Sequence, residues 1–231
     1  MVSGAKAVFI FVKIELNQYN KGKVYTKAGN EMDKEHVFFE NYAPTWDRDR
    51  KENKKILQDL LQLVQLKPGS HVLDVGCGTG VLIPYLQEAV GEEGHVEALD
   101  YSQQMLDKAK EKFAHLPHVS FTEGNVLKYT LPENYYDAII CLNFYPHISR
   151  HSRDFIKKMN KALKDDGMLV IMHDMPRQKV NTIHQDVKGS QPLLPPVDVL
   201  EANLISAGFS VQIAMDTESF YLVKVVKYLE M

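Results

Sequence analysis

Cysteine is scarce. The 231 residues contain two, Cys77 and Cys141, which is neither a disulfide framework nor a CxxC metal pair, so a reducing, cytoplasmic setting is expected. Apolar runs of membrane-spanning length are also missing. Near the N-terminus only Ala7 to Val12 is continuously apolar, and Lys13 interrupts it before it could serve as a signal-peptide core. We therefore expect no membrane span and no export. There is no basic excess: 27 Lys and Arg against 30 Asp and Glu leave a net charge of -3. That balance gives no electrostatic argument for a nucleic-acid partner, and none is expected.

What is present suits one substantial core, with 45% hydrophobic and 25% charged residues, and a single domain is the expectation. Residues 1–31 lack sustained periodicity and read as an N-terminal extension: a disordered tail, a domain-edge strand, or a dispensable product of an upstream start codon. Residues 32–231 read as one domain, with a helical cover over 32–66 and an α/β core over 67–231.

The core is organised around Ser70-His71-Val72-Leu73-Asp74-Val75-Gly76-Cys77-Gly78-Thr79-Gly80 and the apolar-periodic run Val81 to Val90. Val72, Leu73 and Val75 suit a strand buried on both faces. The glycines permit a tight turn that brings backbone close to a ligand and aims the next helix's amides at it. A second short strand, Val96 to Asp100, ends in a carboxylate about 20 residues past the last glycine, where a ribose diol would be held. Ser102 then caps a helix bearing Met105 and Leu106.

Asp74-x-Gly76-x-Gly78-x-Gly80, paired with Asp100-x-Ser102-x-x-Met105-Leu106, resembles the class I S-adenosylmethionine-dependent methyltransferases, in particular small-molecule enzymes of the ubiquinone and menaquinone biosynthesis type. The resemblance implies S-adenosyl-L-methionine as cofactor and S-adenosyl-L-homocysteine as product. It also implies cofactor contacts from Asp74, Gly76, Cys77, Gly78, Gly80, Asp100, Tyr101, Met105, Asn125, Val126, Leu142 and Asn143. One departure is visible: Asn125 stands where the family has an acidic residue facing the adenine amino group, although an amide carbonyl can still accept that hydrogen bond.

The alternation continues with strands at Val119 to Phe121, Tyr136 to Leu142 and Met168 to Met172. A helix around Phe155, Ile156, Met159 and Leu163 ends at Asp165-Asp166-Gly167. Another spans about Val197 to Ala207, with Leu200, Leu204 and Ile205 inward and Gly208 as its stop. Two late strands, Phe209 to Met215 and Phe220 to Val226, flank Asp216-Thr217-Glu218. This pattern is an α/β three-layer sandwich with a mostly parallel sheet. The resemblance adds the Rossmann-like seven-stranded order with an antiparallel C-terminal hairpin strand.

Candidate substrate contacts lie at strand ends and in the cover. Phe38, Phe39, Tyr42 and Trp46 follow helical spacing as far as Pro44, and they fit either a core-facing stripe or, by resemblance, a lid over the cofactor with Trp46 as its main residue. By resemblance, Tyr145 and His147 after the fourth strand would face substrate, and His147 reads equally as a structural residue or cap before Ser149. His173 and Asp174 end the fifth. If 177–187 is a helix, stopped by Gly189, then Arg177, Asn181 and His184 share one face, either overhanging the cofactor mouth or simply facing solvent. His147 and His173 are the candidate general bases, since imidazole titrates near neutral pH, and Arg177 suits an anionic substrate group. No HxxxH or HxH spacing ties His147, His173 and His184 into a metal site, so no metal is assigned. Neither cysteine is placed to form a soft-ligand cluster, which disfavours arsenic chemistry.

The leading expectation is methyl transfer to a small molecule by in-line displacement, with the nucleophile held at about 3 Å and water kept out. A macromolecule-directed methyltransferase, a catalytically silent cofactor-binding protein and an NAD-dependent oxidoreductase are the competing classes. The intact Asp74, glycine turn and Asp100 count against the silent protein, and the Asp74-Gly76 spacing counts against NAD. The acceptor atom and the oligomeric state are open.

Overall fold

The computed structural model describes residues 34–50, 52–188 and 194–228. The expected extension at 1–31, its apolar run Ala7 to Val12 and the helix stop at Gly189 lie outside these. Three helices come first: α1 (Lys34–Tyr42), α2 (Trp46–Asp49) and α3 (Lys54–Val64). The order β1 (His71–Val75), α4 (Ile83–Val90), β2 (His95–Asp100), α5 (Gln103–Phe113), β3 (Val119–Glu123), β4 (Tyr136–Leu142) follows. The chain then runs through α6 (Tyr145–Ile148), α7 (Ser152–Ala162), β5 (Leu163–His173), α8 (Arg177–Lys188), α9 (Val197–Ser206), β6 (Phe209–Asp216) and β7 (Tyr221–Lys227).

The seven strands form one sheet in the order β3-β2-β1-β4-β5-β7-β6. The pairs from β3 through β5 are parallel, and β7 runs antiparallel to both β5 and β6. The expected hairpin is therefore present, with its second strand inserted beside β5. From β1 the chain winds outward through β2 and β3, then returns to build β4 and β5 on the other side. That reversal leaves a crevice at the C-terminal ends of β1 and β4, where open α/β sheets bind ligands.

Alternation along β1 explains its layering. Leu73 and Val75 pack into one core with Ile139, Cys141, Phe155 and Leu204. Val72 faces the other way, onto Leu57 and Leu60 of α3 and Leu86 of α4. Asp74, in phase with Val72, is thus carried into the interior by a strand with no solvent face, and is 2% exposed. Local signals set the helix starts: Ser102 Oγ accepts from Met105 N at 3.2 Å, and Asn53 Oδ1 accepts from Ile56 N.

Two expectations need correction. The helix before β5 stops at Ala162, a turn earlier than Asp165-Asp166-Gly167. Those residues form an irregularity inside β5, where Tyr136 pairs with Leu163 but Ala138 pairs with Met168, and Asp166 takes φ 59. Ile205 was expected inward with Leu200 and Leu204, yet it is exposed while they are fully buried. Leu200 and Leu204 lie one helical turn apart, and a fifth position lies about 100° off that stripe.

Candidate functional site

The glycine turn after β1 crosses the exit of β4. Gly76, Gly78 and Gly80 all have positive φ, but their surroundings differ. A Cβ on Gly76 would collide with the Phe144 ring, whereas one on Gly78 would meet nothing within 4 Å. Gly76 is glycine so that the two strand exits can pack. Gly78 is glycine so that the chain can turn with its outer face open.

Asp100 closes the turn from beneath. Its Oδ2 accepts from Gly78 N at 2.8 Å and its Oδ1 from Ser102 N at 2.9 Å. Each oxygen keeps a second lone pair, so the ribose-binding expectation is compatible with this internal role. Asp74 Oδ2 is buried with no hydrogen-bond partner. Burial, reinforced by the nearby Asp100 charge, pushes its carboxyl up to about 7. Asn143 emerges from β4 at φ 55, with both side-chain polar atoms buried and unpartnered. A buried carboxylate oxygen and a buried amide without partners are costly unless something else supplies them. An open-faced turn bordered by such groups fits a polar, amine-bearing ligand such as the expected cofactor.

Other cofactor candidates are placed less directly. Cys77 is buried in the small core under α4 and α5, with its Sγ directed to Gly78 O, and Met105 is buried as well. Tyr101 stacks on His36 of α1 at 4.8 Å. Asn125 Oδ1 accepts from Leu127 N at 3.0 Å and shapes a local turn, which leaves its second lone pair for the expected adenine contact. Val126 and Leu142 turn their side chains into the core, leaving only backbone for a ligand.

The cover segment 34–50 is tied to four strand exits. Thr79 Oγ1 donates to Asp47 Oδ1 at 2.5 Å after β1, and Tyr101 stacks on His36 after β2. His147 bonds Glu35 after β4, and Arg50 reaches Asp174 at 3.5 Å after β5. Inside it, Phe39 contacts Trp46, Tyr101 and His147 edge-on, and the Arg50 guanidinium lies 5.6 Å from the Trp46 ring. Trp46 is half-buried in this aromatic group, beside the mouth.

His147 and His184 come together, with ring centroids 5.2 Å apart. His184 Nδ1 is itself bonded to Val180 O. His173 is nearby but 1% exposed. Burial, followed by the charges of His184, His147 and Arg50, holds its pKa well below the usual histidine value. It is a neutral interior ring in this structure, with its Nε2 buried and without a hydrogen-bond partner. Tyr145 and Asn181 are corrected as substrate contacts. Tyr145 is buried in the main core, and the Asn181 amide bonds both N and O of Leu194, fixing the chain where it returns towards α9. Arg177 is committed to Asp216 at 2.5 Å. Glu35, Asp47, Arg50 and Phe144 were not singled out as site residues, because their roles depend on contacts between distant segments. Among the described residues, no group of three or more His, Cys, Asp or Glu side chains could hold a metal ion.

Comparison with known proteins bears on the fold and the family. Residues 72–167 match a family model described as a methyltransferase domain. A demethylmenaquinone methyltransferase of Listeria welshimeri is 31% identical over 144 residues, which are 59% of this chain and 61% of that protein. The chain thus spans about three fifths of the length of that curated relative. Among solved structures, a SAM-dependent methyltransferase from Aquifex aeolicus superposes with a TM-score of 0.61 at 24% identity, over 85% of this chain and 99% of that one. A magnesium protoporphyrin IX methyltransferase from Synechocystis, solved with bound SAH, has a TM-score of 0.61 at 19% identity, over 83% of this chain and 99% of its own. At these identities the two structures establish the shared fold.

Proposed function

We propose that this chain, which matches a family model described as a methyltransferase domain over residues 72–167, is a class I S-adenosylmethionine-dependent methyltransferase that transfers a methyl group to a small-molecule acceptor by direct displacement. The observation that carries the reading is the pairing of the open face of Gly78 with the partnerless Asp74 Oδ2 and Asn143 amide at the β1 and β4 exits. S-adenosylmethionine, when bound there, supplies a methyl group already activated on a sulfonium, so no covalent intermediate with the protein is required. Asp74 and the Gly76–Gly80 backbone would hold the amino-acid end, Asp100 the ribose, and Asn143 the edge nearest the acceptor.

The remaining work falls to the cover and to His147. The cover excludes water from the strand ends, which strengthens every electrostatic interaction beneath it. His147 takes the proton that an acceptor O–H or N–H releases as it attacks. Phe39, Trp46 and Phe144 offer ring faces and edges to a planar, largely apolar acceptor. The name of the Listeria relative points the same way, towards a quinone-like ring. Nothing in the charge balance favours a nucleic acid.

Calorimetric titration with S-adenosylmethionine, S-adenosylhomocysteine and NAD tests the reading, followed by a screen of phenols, hydroquinones, thiols and amines for methyl transfer. Micromolar binding of the first two, lost in Asp74→Ala, is the expected result. Binding of NAD alone, or of none of the three, overturns it.

A further inference from the structure

We propose that Glu35 is the positioning residue of His147: it accepts a hydrogen bond from the imidazole Nδ1–H, leaving the Nε2 lone pair free as the base, and it does so only while the cover lies on the strand ends. The inference rests on the reading of His147 as the base in methyl transfer, and identifies what makes that ring competent.

His147 Nδ1 is hydrogen-bonded to Glu35 Oε1 across 112 positions of sequence, and both side chains are about one-fifth exposed. An ionised carboxylate has no proton to give, so the imidazole nitrogen must be the donor. In a neutral ring this fixes the tautomer, with the lone pair on Nε2. Left alone, a histidine side chain prefers the opposite tautomer, so the contact has a definite consequence. The ring plane is also held: Phe39 stands edge-on at 5.2 Å and 77°, His184 at 5.2 Å and 67°, and Phe144 lies at 6.3 Å.

The charges facing His147 come from four elements. Glu35 on α1 and Asp100 at the end of β2 favour the protonated ring. His184 on α8 and His173 on β5 would oppose it when charged, but His173 is kept neutral by burial. A proton taken from the acceptor would sit on Nε2 while Nδ1–H stays bonded to Glu35. Because Glu35 sits on the segment that also carries His36, Asp47 and Arg50, the base is oriented by the same docking that clips the cover to Tyr101, Thr79 and Asp174. Base and shelter then form together. In an open site the ring would lose that orientation.

The test uses histidine 15N NMR on the full chain saturated with S-adenosylhomocysteine, with His147→Gln to assign the resonance. In the wild type, His147 is expected as the Nδ1–H tautomer. In Glu35→Gln, whose amide oxygen can still accept from Nδ1–H, that tautomer should persist. In Glu35→Leu the tautomer preference should be lost. An Nε2–H tautomer in the wild type, or an Nδ1–H tautomer undiminished in Glu35→Leu, overturns the proposal. Glu35→Gln is near-isosteric and keeps an acceptor oxygen, so it guards against a variant that merely unfolds. The readout needs no turnover and can be repeated without the nucleoside. A chain that fails to bind S-adenosylhomocysteine counts against the methyltransferase reading, whereas an Nδ1–H tautomer that survives in Glu35→Leu counts against Glu35.

Discussion

Thr79 of the glycine turn donates its hydroxyl proton to Asp47 of the cover at 2.5 Å, and Lys112 of α5 reaches the other oxygen of the same carboxylate at 2.8 Å. One acidic side chain thus joins the cover to both the turn and the helix that follows β2. Burial works against its charge, but the bonds from Lys112 and Thr79 prevail and keep the Asp47 pKa below the usual carboxylate value. The turn and the cover are mechanically one unit through this contact.

Asp47→Ala should therefore loosen the cover without unfolding the sheet. The contact is partly exposed, so a cost of about 0.5–1.5 kcal/mol is expected. That would appear as faster amide exchange confined to residues 34–50 and a several-fold weaker affinity for S-adenosylhomocysteine. Exchange unchanged across 34–50 would show that the contact does not hold the cover down.

Asp74 predicts a conflict between stability and binding. Its carboxyl is raised to about 7, so the folded protein retains a proton that the unfolded chain, with the ordinary carboxyl pKa of 3.8, releases. Stability from this group is consequently present at low pH and lost as pH rises to about 7. Asp74→Asn should be more stable than wild type at pH 8 by on the order of 1–3 kcal/mol, read as a higher melting temperature, and the margin should shrink towards pH 4. The same variant should bind S-adenosylhomocysteine at least about tenfold more weakly. A variant less stable at pH 8 would mean that Asp74 is compensated inside the apo protein.

These cases mark where sequence was informative. The glycine spacing, the carboxylate ending Val96 to Asp100, and the cap at Ser102 are local features, and a local pattern is enough to specify a turn, a strand end or a cap. The placement of β7 between β5 and β6 was legible only through the family resemblance, since a hairpin's own residues do not say which sheet edge it joins. Roles at the site mouth were harder. Arg177, Asn181 and His184 do share a helix, but whether that face meets substrate depends on Asp216 and on Leu194, both distant in the chain. Asn181 reads as a binding residue by type and is a structural one by partner. Glu35 carried no signal, because a glutamate in the first turn of a helix is unremarkable until His147 is brought to it.

His173 should impose an acid limit. Its pKa is depressed well below the usual 6.5, so the unfolded chain binds a proton that the native protein refuses. Stability is full above about 6.5 and declines as pH falls below it. His173→Phe, similar in volume and facing Tyr221 at 6.1 Å, should flatten the loss of melting temperature between pH 6.5 and 5. An identical slope in the variant would place the acid-sensitive group elsewhere.

The two glycines offer the sharpest separation of architecture from ligand. At Gly76, alanine must displace the Phe144 ring in addition to adopting φ 70, so Gly76→Ala should destabilise by about 2–4 kcal/mol. Adding Phe144→Ala should recover part of that loss, a non-additivity expected of groups in contact. At Gly78, alanine meets nothing within 4 Å and bears only the strain of φ 55, about 1–2 kcal/mol. Its methyl group nevertheless stands on the open face of the turn. If the cofactor lies there, Gly78→Ala should weaken S-adenosylhomocysteine binding by tenfold or more, while Gly76→Ala with Phe144→Ala binds better in proportion to its restored fold. Unimpaired binding by Gly78→Ala would move the cofactor off the glycine turn, and with it the reading of Asp74 and Asn143 as its partners.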